Sequence, residues 1–352
     1  MVRVSRNELL ELYEAPLPEL QAASSFVRRD RNGDRVFYNR NFHIEPSNIC
    51  SHRCRFCSYR RDDASREGAW SMTLDQIIPY CEAKFEPGMT EIHIVGSVQP
   101  EQPFRYYEQI VRLVRDFAQR HASPDRPITL KAYTAVEIDD MCRAGRMTAE
   151  ACIARLKEAG LETMPGGGAE IFAPHIRSRI CPDKCSGERW LDIHRSAHRL
   201  GLPTNATMLF GHIESRADRV DHLLALRDLQ DETGGFNAFI PLKFRSSGNE
   251  LSHLGEIARE EVLRTFAIAR IALDNIPHIK AYWPMLGKTL AVEAMDWGAD
   301  DMDGTIHDST RIYSLAGAEE QNPELSVSEL KSMAAASGWK AVERDSFYRI
   351  IS

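Results

Sequence analysis

Three cysteines, Cys50, Cys54 and Cys57, fall within eight residues in the run Pro46-Ser47-Asn48-Ile49-Cys50-Ser51-His52-Arg53-Cys54-Arg55-Phe56-Cys57. Sulfurs at this spacing converge on one centre only if the chain wraps that centre as a tight loop. Cysteine thiolates hold iron–sulfur clusters, and a cubane has four irons. Three thiolates therefore leave one iron open to a small molecule that the protein does not supply. The competing expectation is zinc in a Cys3His set, with His52 or His43 as the fourth ligand. Zinc sites of that kind come as paired CxxC-type halves, which this run lacks, so the cluster is the preferred reading. A second pair, Cys181 and Cys185, has CxxxC spacing without a third partner and reads as two loop cysteines. Cys81, Cys142 and Cys152 read as buried small hydrophobes.

A loop of this kind needs a scaffold, and the chain alternates strand-like runs with helical stretches eight times. The strand candidates are 41–46, 91–96, 129–133, 162–166, 203–209, 237–242, 278–283 and 298–303, with helical patterns such as 104–120, 148–158, 187–200, 216–232 and 260–273 between them. Gly160, Gly201 and Gly234 stand where helices should end. Such alternation implies a parallel sheet, and eight units fit an α/β fold of the TIM type, a (β/α)8 barrel. The expected organisation is a helical and hairpin prelude at 1–40, the barrel at 41–306, and a C-terminal extension of the same domain at 307–352. One amphipathic helix is predicted in that extension, at 326–336. The cysteine loop follows the first strand, at the rim where barrel active sites lie.

Several strands alternate polar and apolar residues, where a fully buried strand reads as a continuous apolar run. Side chains alternate faces with period two. Phe42, Ile44, Ile92, Ile94, Leu130, Ala132, Ile279 and Ala281 should face the helices. His43, Glu45, His93, Lys131, Tyr133, Asn205, Thr207, Lys280 and Tyr282 should line the lumen. Position by position this is an internally satisfied hydrogen-bond network; across several strands together it predicts a cavity for a polar ligand.

The bulk properties restrict the rest. The chain of 352 residues has a formal charge of −7, which argues against a nucleic-acid binder relying on a basic face. No run has the length of a membrane span, and the first twenty residues lack a signal peptide's apolar core. Eight cysteines then fit a reducing, cytoplasmic setting.

The CxxxCxxC run with Phe56 before its last cysteine resembles the radical S-adenosylmethionine (SAM) superfamily. The resemblance implies a [4Fe-4S] cluster on Cys50, Cys54 and Cys57, with SAM chelating the open iron and serving as co-substrate. Gly96 and Ser97 match the turn that meets the methionyl amino group. The run Thr207-Met208-Leu209-Phe210-Gly211-His212-Ile213-Glu214 resembles an adenine-contacting element, keeping Gly211 and Glu214 but with Thr207 in place of a glycine. Glu170 matches an acidic ribose ligand, or else serves as a helix-entry charge.

Longer blocks, at 41–48, 131–138, 161–174, 190–214, 229–242, 274–286 and 298–305, are similar to the aminofutalosine synthases of the futalosine route to menaquinone. Those enzymes imply a transferase that adds the 5′-deoxyadenosyl radical to 3-[(1-carboxyvinyl)oxy]benzoate. Aryl migration and decarboxylation then give 6-amino-6-deoxyfutalosine. An electron donor such as flavodoxin or ferredoxin is implied. Sister enzymes of the dehypoxanthine futalosine cyclase or deazaflavin (FO) synthase type, which abstract hydrogen, are the first alternative, and a non-catalytic zinc-stabilised barrel is the second. A substrate with two carboxylates asks for cations, for which arginine's planar fork is best suited. Arg245 is the first candidate, followed by Lys131, Lys243 and Lys280. His93, Glu45 and Tyr133 are candidates for proton handling or substrate contact. Gly96-Ser97-Val98-Gln99-Pro100 and Lys243-Phe244-Arg245-Ser246-Ser247 depart from commoner family sequences, and both stand near the expected site.

Overall fold

A computed structural model describes residues 3–99, 102–305, 314–319, 321 and 323–351. Pro100 and residues 306–313 of the sequence reading fall outside them. The elements run α1 (Arg6–Leu12), α2 (Leu17–Asn32), β1 (Arg35–Asn39), β2 (Asn41–Ile44), α3 (Leu74–Lys84), β3 (Glu91–Ile94), α4 (Phe104–His121), β4 (Thr129–Ala132), α5 (Ala135–Gly145) and α6 (Ala149–Ala159). They continue with α7 (Pro174–Ile180), α8 (Gly187–Arg199), β5 (Thr204–Phe210), α9 (Arg216–Thr233), β6 (Phe236–Lys243), α10 (Arg259–Ala272), β7 (His278–Ile279), α11 (Trp283–Leu286), α12 (Lys288–Glu293) and β8 (Asp301–Gly304). A helix, Val327–Ala336, and β9 (Lys340–Glu343) form the tail.

Local chemistry sets these bounds. Thr134 accepts from Glu137 N while the Glu137 carboxylate returns to Thr134, a capping box that starts α5; Ser215 and Asp218 do the same for α9. Gly160 (φ 119°) and Gly234 (φ 64°) end α6 and α9 in the left-handed region. The apolar strand positions Phe42, Ile44, Ile92, Ile94, Leu130 and Ala132 are all fully buried.

The fold is a TIM-type α/β fold whose strands pair in parallel as three three-stranded sheets, β8-β1-β9, β2-β3-β4 and β5-β6-β7. Single bridges link them: Lys131 to Thr163, Met164 to Thr204, and Lys280 to Asp301. Two expected strands are thus reduced. The candidate at 162–166 forms only bridges. The one at 278–283 stops at Ile279, because Pro284 favours the first turn of α11. The expected hairpin in the prelude is also corrected. Arg35–Asn39 pairs in parallel with β8 on one side and β9 on the other, and leads into β2 after Arg40.

The tail helix starts on Ser326, capped by Glu329, and buries Leu330 and Ala334. After β9 the chain turns inward. Arg344, Asp345 and Ser346 are buried at 0%, 1% and 4% exposure, so this segment fills the interior before the chain returns to the surface at Arg349 and Ile350.

Candidate active site

The cysteine loop leaves β2 at Ile44 and is pinned by backbone hydrogen bonds on both flanks. Cys50 N donates to the Arg61 carbonyl at 3.0 Å, Arg61 N to the Asn48 carbonyl at 2.8 Å, and Ser51 N to the Val98 carbonyl at 2.9 Å. Ser97 Oγ donates to the Ile49 carbonyl at 2.7 Å, joining the loop to the turn after β3. Cys50, Cys54 and Cys57 are free thiols, and all three line one cavity of about 270 Å³. Its other walls come from the C-terminal ends of the strands: Val95 to Val98 after β3, Thr134 and Glu137 after β4, Gly167, Gly168 and Glu170, Leu209 of β5, and Leu242 to Arg245 at the end of β6.

Of the sequence-selected residues, Phe56, Gly96, Ser97, Glu170, Lys243 and Arg245 therefore face the cavity with the three thiols. Thr207 and Gly211 do not line it. Thr207 Oγ1 donates to the Gly166 carbonyl at 2.6 Å, and Gly211 N donates to Glu214 Oε1 at 2.6 Å. Between them, Leu209 reaches the cavity wall. In the run Gly166-Gly167-Gly168 the first glycine has a packing reason: a Cβ there would lie 2.6 Å from the Asn205 carbonyl oxygen, so only glycine lets the chain approach β5. Tyr133 (φ 56°) and Glu170 (φ 47°) hold left-handed backbone, which costs about 1–3 kcal/mol at each and concentrates at functional sites.

Lys184 and Glu137 are ionisable cavity residues that were not singled out in the sequence. Lys184, between Cys181 and Cys185, pairs with Glu170, and its ammonium stands 5.2 Å from the centre of the Phe56 ring. Burial opposes its charge, but the Cys54 sulfur and the Glu170 carboxylate hold it well above the ordinary lysine value. A lone loop lysine reads as solvated, and only its position between two buried cysteines hints otherwise. Glu137 is the other; its carboxyl is pushed up to about 7, chiefly by burial, against the hydrogen bonds from Thr134. The Thr134-x-x-Glu137 capping spacing was its legible signal.

Lys131, Lys280, His93, Glu45 and Tyr133 are not brought to the cavity. Lys131 Nζ lies 2.5 Å from Glu91 Oε2, and Lys280 Nζ lies 3.0 Å from Asp303 Oδ1. The tail completes this network: Ser346 Oγ donates to Glu91 Oε2 at 2.6 Å, and Arg344 Nε to Asp301 Oδ2 at 2.6 Å. Burial raises the Asp301 carboxyl, but Arg344 and Lys280 outweigh it and bring it to about 2. The His93 ring meets His43 edge-on at 4.8 Å, and burial, His43 and Lys131 keep its pKa far below the usual histidine value. The Glu45 carbonyl accepts from Trp70 Nε1 at 3.0 Å, and Tyr133 Oη donates to the Tyr107 carbonyl at 2.8 Å. The polar strand faces are thus divided, and the lower part is a filled network instead of a ligand cavity.

The donor set suits a cluster with an open corner. Three thiols of one pinned loop share a cavity, and burial pushes the Cys50 and Cys54 thiols up, so they become thiolates by ligating a metal. Of the two histidines expected for zinc, His52 lines the cavity with its Nε2 paired to a carboxylate, and His43 does not line it. His52 Nε2 lies 3.0 Å from Asp140 Oδ2, and His43 packs on His93.

Residues 44–226 match the radical SAM superfamily, and residues 233–349 match the CofH/MqnC C-terminal region. The chain belongs to the radical SAM superfamily. An aminodeoxyfutalosine synthase of Thermus thermophilus is 41% identical over 355 residues, covering 99% of this chain and 92% of the relative. A cyclic dehypoxanthine futalosine synthase of Streptomyces coelicolor is 35% identical over 333 residues, covering 93% and 81%. Among solved structures, methylornithine synthase (PylB) superposes with a TM-score of 0.75 at 16% identity over 96% of this chain and 94% of that one, a likeness of fold.

Proposed function

We propose that this chain is an aminodeoxyfutalosine synthase, a transferase of the futalosine route to menaquinone. The reaction adds the 5′-deoxyadenosyl group of SAM to the enolpyruvyl double bond of 3-[(1-carboxyvinyl)oxy]benzoate; aryl migration and decarboxylation then give 6-amino-6-deoxyfutalosine. One observation carries this reading: a single cavity holds three cluster-type thiols together with Lys243 and Arg245, two of its cations, suited to an anionic substrate. The 41% identity to a relative of that name over nearly the whole chain supports it.

A [4Fe-4S] cluster on Cys50, Cys54 and Cys57, with SAM bound, supplies the adenosyl radical. The residues of the chain bind and orient. Gly96 and Ser97, tied to the cysteine loop, meet the methionyl end; Glu170, held by Lys184, faces the ribose; Leu209 packs on the adenine. Arg245 and Lys243 take substrate carboxylates. Apolar walls from Val95, Val98, Leu242 and Met285 keep water from the reacting carbons. His93, Glu45, Tyr133, Lys131 and Lys280 hold the scaffold beneath. We read β2, β3, β4, the bridged segment at 162–166, β5, β6, β7 and β8 as the eight strands of one closed barrel, supported by the bridges between the three sheets, with the described residues of 1–40 and 307–352 packed on it as one domain. We place the protein in the cytoplasm with a flavodoxin or ferredoxin as electron donor; no described helix is long and apolar enough to cross a membrane.

Anaerobic incubation with reductant, SAM and the enolpyruvyl benzoate, followed by mass spectrometry, tests the reading. The adenosylated, decarboxylated product is expected. Turnover of dehypoxanthine futalosine, with none of that product, favours the cyclase instead.

A further inference from the structure

Lys243 and Arg245 share one carboxylate. Glu256 Oε2 lies 2.7 Å from Lys243 Nζ and 3.4 Å from Arg245 Nη1, while Glu256 Oε1 accepts from Ser246 N at 3.0 Å and Ser246 Oγ at 3.3 Å. The three ionic side chains differ in their access to water. Those of Lys243 and Arg245 are 11% and 8% exposed and line the cavity; that of Glu256 is 39% exposed and does not line it. Arg245 Nη2 reaches the Gly317 carbonyl at 3.3 Å, and its buried Nε has no hydrogen-bond partner among the described residues. Gly255, immediately before Glu256, has φ 70° and open space around it.

We propose that Glu256 is a resident stand-in for a substrate carboxylate: it holds the Lys243–Arg245 pair ready in the empty site and is displaced outward when an anionic substrate binds. This rests on the reading of those two cations as the carboxylate seat.

Two cations on a cavity wall repel each other and pay a desolvation cost unless an anion lies between them. One carboxylate balances only one of the two charges, so an attraction for a further anion remains. Glu256 can leave at low cost, because its side chain already reaches water and Gly255 gives the loop backbone freedom to turn. A carboxylate entering from the cavity can then exchange for it, satisfying both cations and offering Arg245 Nε an acceptor. A neutral ligand cannot make that exchange, because removing Glu256 would leave two buried cations without a counter-charge. Glu256 thereby selects for anions by competing with them.

Calorimetric binding of the saturated, unreactive analogue 3-(1-carboxyethoxy)benzoate to the cluster-loaded protein is the test, with the analogue's dimethyl ester as the neutral comparison. Glu256→Gln is expected to bind the dianion about three- to tenfold more tightly, the scale of one partly screened charge, with the ester unchanged. Unchanged or weaker dianion binding in that variant overturns the proposal. Arg245→Met separates the two levels. It should weaken dianion binding at least about tenfold. If it does not, the carboxylate seat itself is misassigned; if it does while Glu256→Gln changes nothing, only the stand-in role fails. Circular dichroism confirms that both variants are folded.

Discussion

The interior has two ends built from the same residue types and used in opposite ways. Below, Lys131, Lys280 and Arg344 are matched to Glu91, Asp303 and Asp301 at 2.5, 3.0 and 2.6 Å, and every member is buried. Above, Lys243 and Arg245 also have a carboxylate partner, but Glu256 belongs to an exposed loop, and the three cysteines carry free thiols. What separates a structural charge from one available to a ligand is therefore where its counter-charge comes from. A partner fixed in the strands or the inserted tail closes the site, whereas one on a solvent-facing loop leaves it open to exchange.

The largest effect tests the upper end. Cys57→Ala should abolish iron and sulfide binding and reduce product formation to background while the protein stays folded, as checked by metal analysis and circular dichroism. Full activity in that variant breaks the assignment of the thiols. Next, Arg344→Met strands the buried Asp301 carboxylate and should destabilise the fold by about 3–5 kcal/mol. Urea unfolding measures this, and the remaining folded enzyme should keep its kcat. A loss of kcat without a loss of stability would mean that the lower network takes part in the chemistry.

A third test uses pH. Glu137 titrates near 7 in the fold against 4.5 as the ordinary value, so its native state holds a proton that the unfolded chain gives up. A raised carboxyl pKa favours the fold below about 4.5 and loses that advantage as pH rises toward 7, a change of about 3 kcal/mol. Glu137→Gln should flatten this fall, so its stability relative to the parent rises between pH 5 and pH 8; a parallel pair of pH profiles contradicts the assignment. The smallest effect belongs to the surface. Arg55 and Glu250 pair at 3.1 Å with 41% and 58% exposure, and Arg55→Ala should cost less than about 1 kcal/mol.

The sequence made the upper end legible because its signals are local. Cys50, Cys54 and Cys57 lie within eight residues, and Gly96, Ser97, Glu170, Lys243 and Arg245 each lie at or just past the end of a segment that read as a strand. The fate of Lys131 and Lys280 depended on partners 40 and 23 residues away, and Glu91 is in turn met by Ser346, 255 residues distant. Alternation predicts that such side chains point inward but not that a C-terminal segment will enter to meet them. The short strands were lost for another reason. The segment at 162–166 and the end of 278–283 carry Pro165 and precede Pro284, and proline removes the donor that a ladder needs. Lys184 was missed because burial of a loop lysine arises only from tertiary packing.

The central claim, that the adenosyl group ends up in the product, is tested most directly with SAM carrying ¹³C in its ribose. Anaerobic turnover with the enolpyruvyl benzoate should give a product bearing the label, with little free 5′-deoxyadenosine. Labelled 5′-deoxyadenosine released in step with turnover, beside an unlabelled product, would contradict the account.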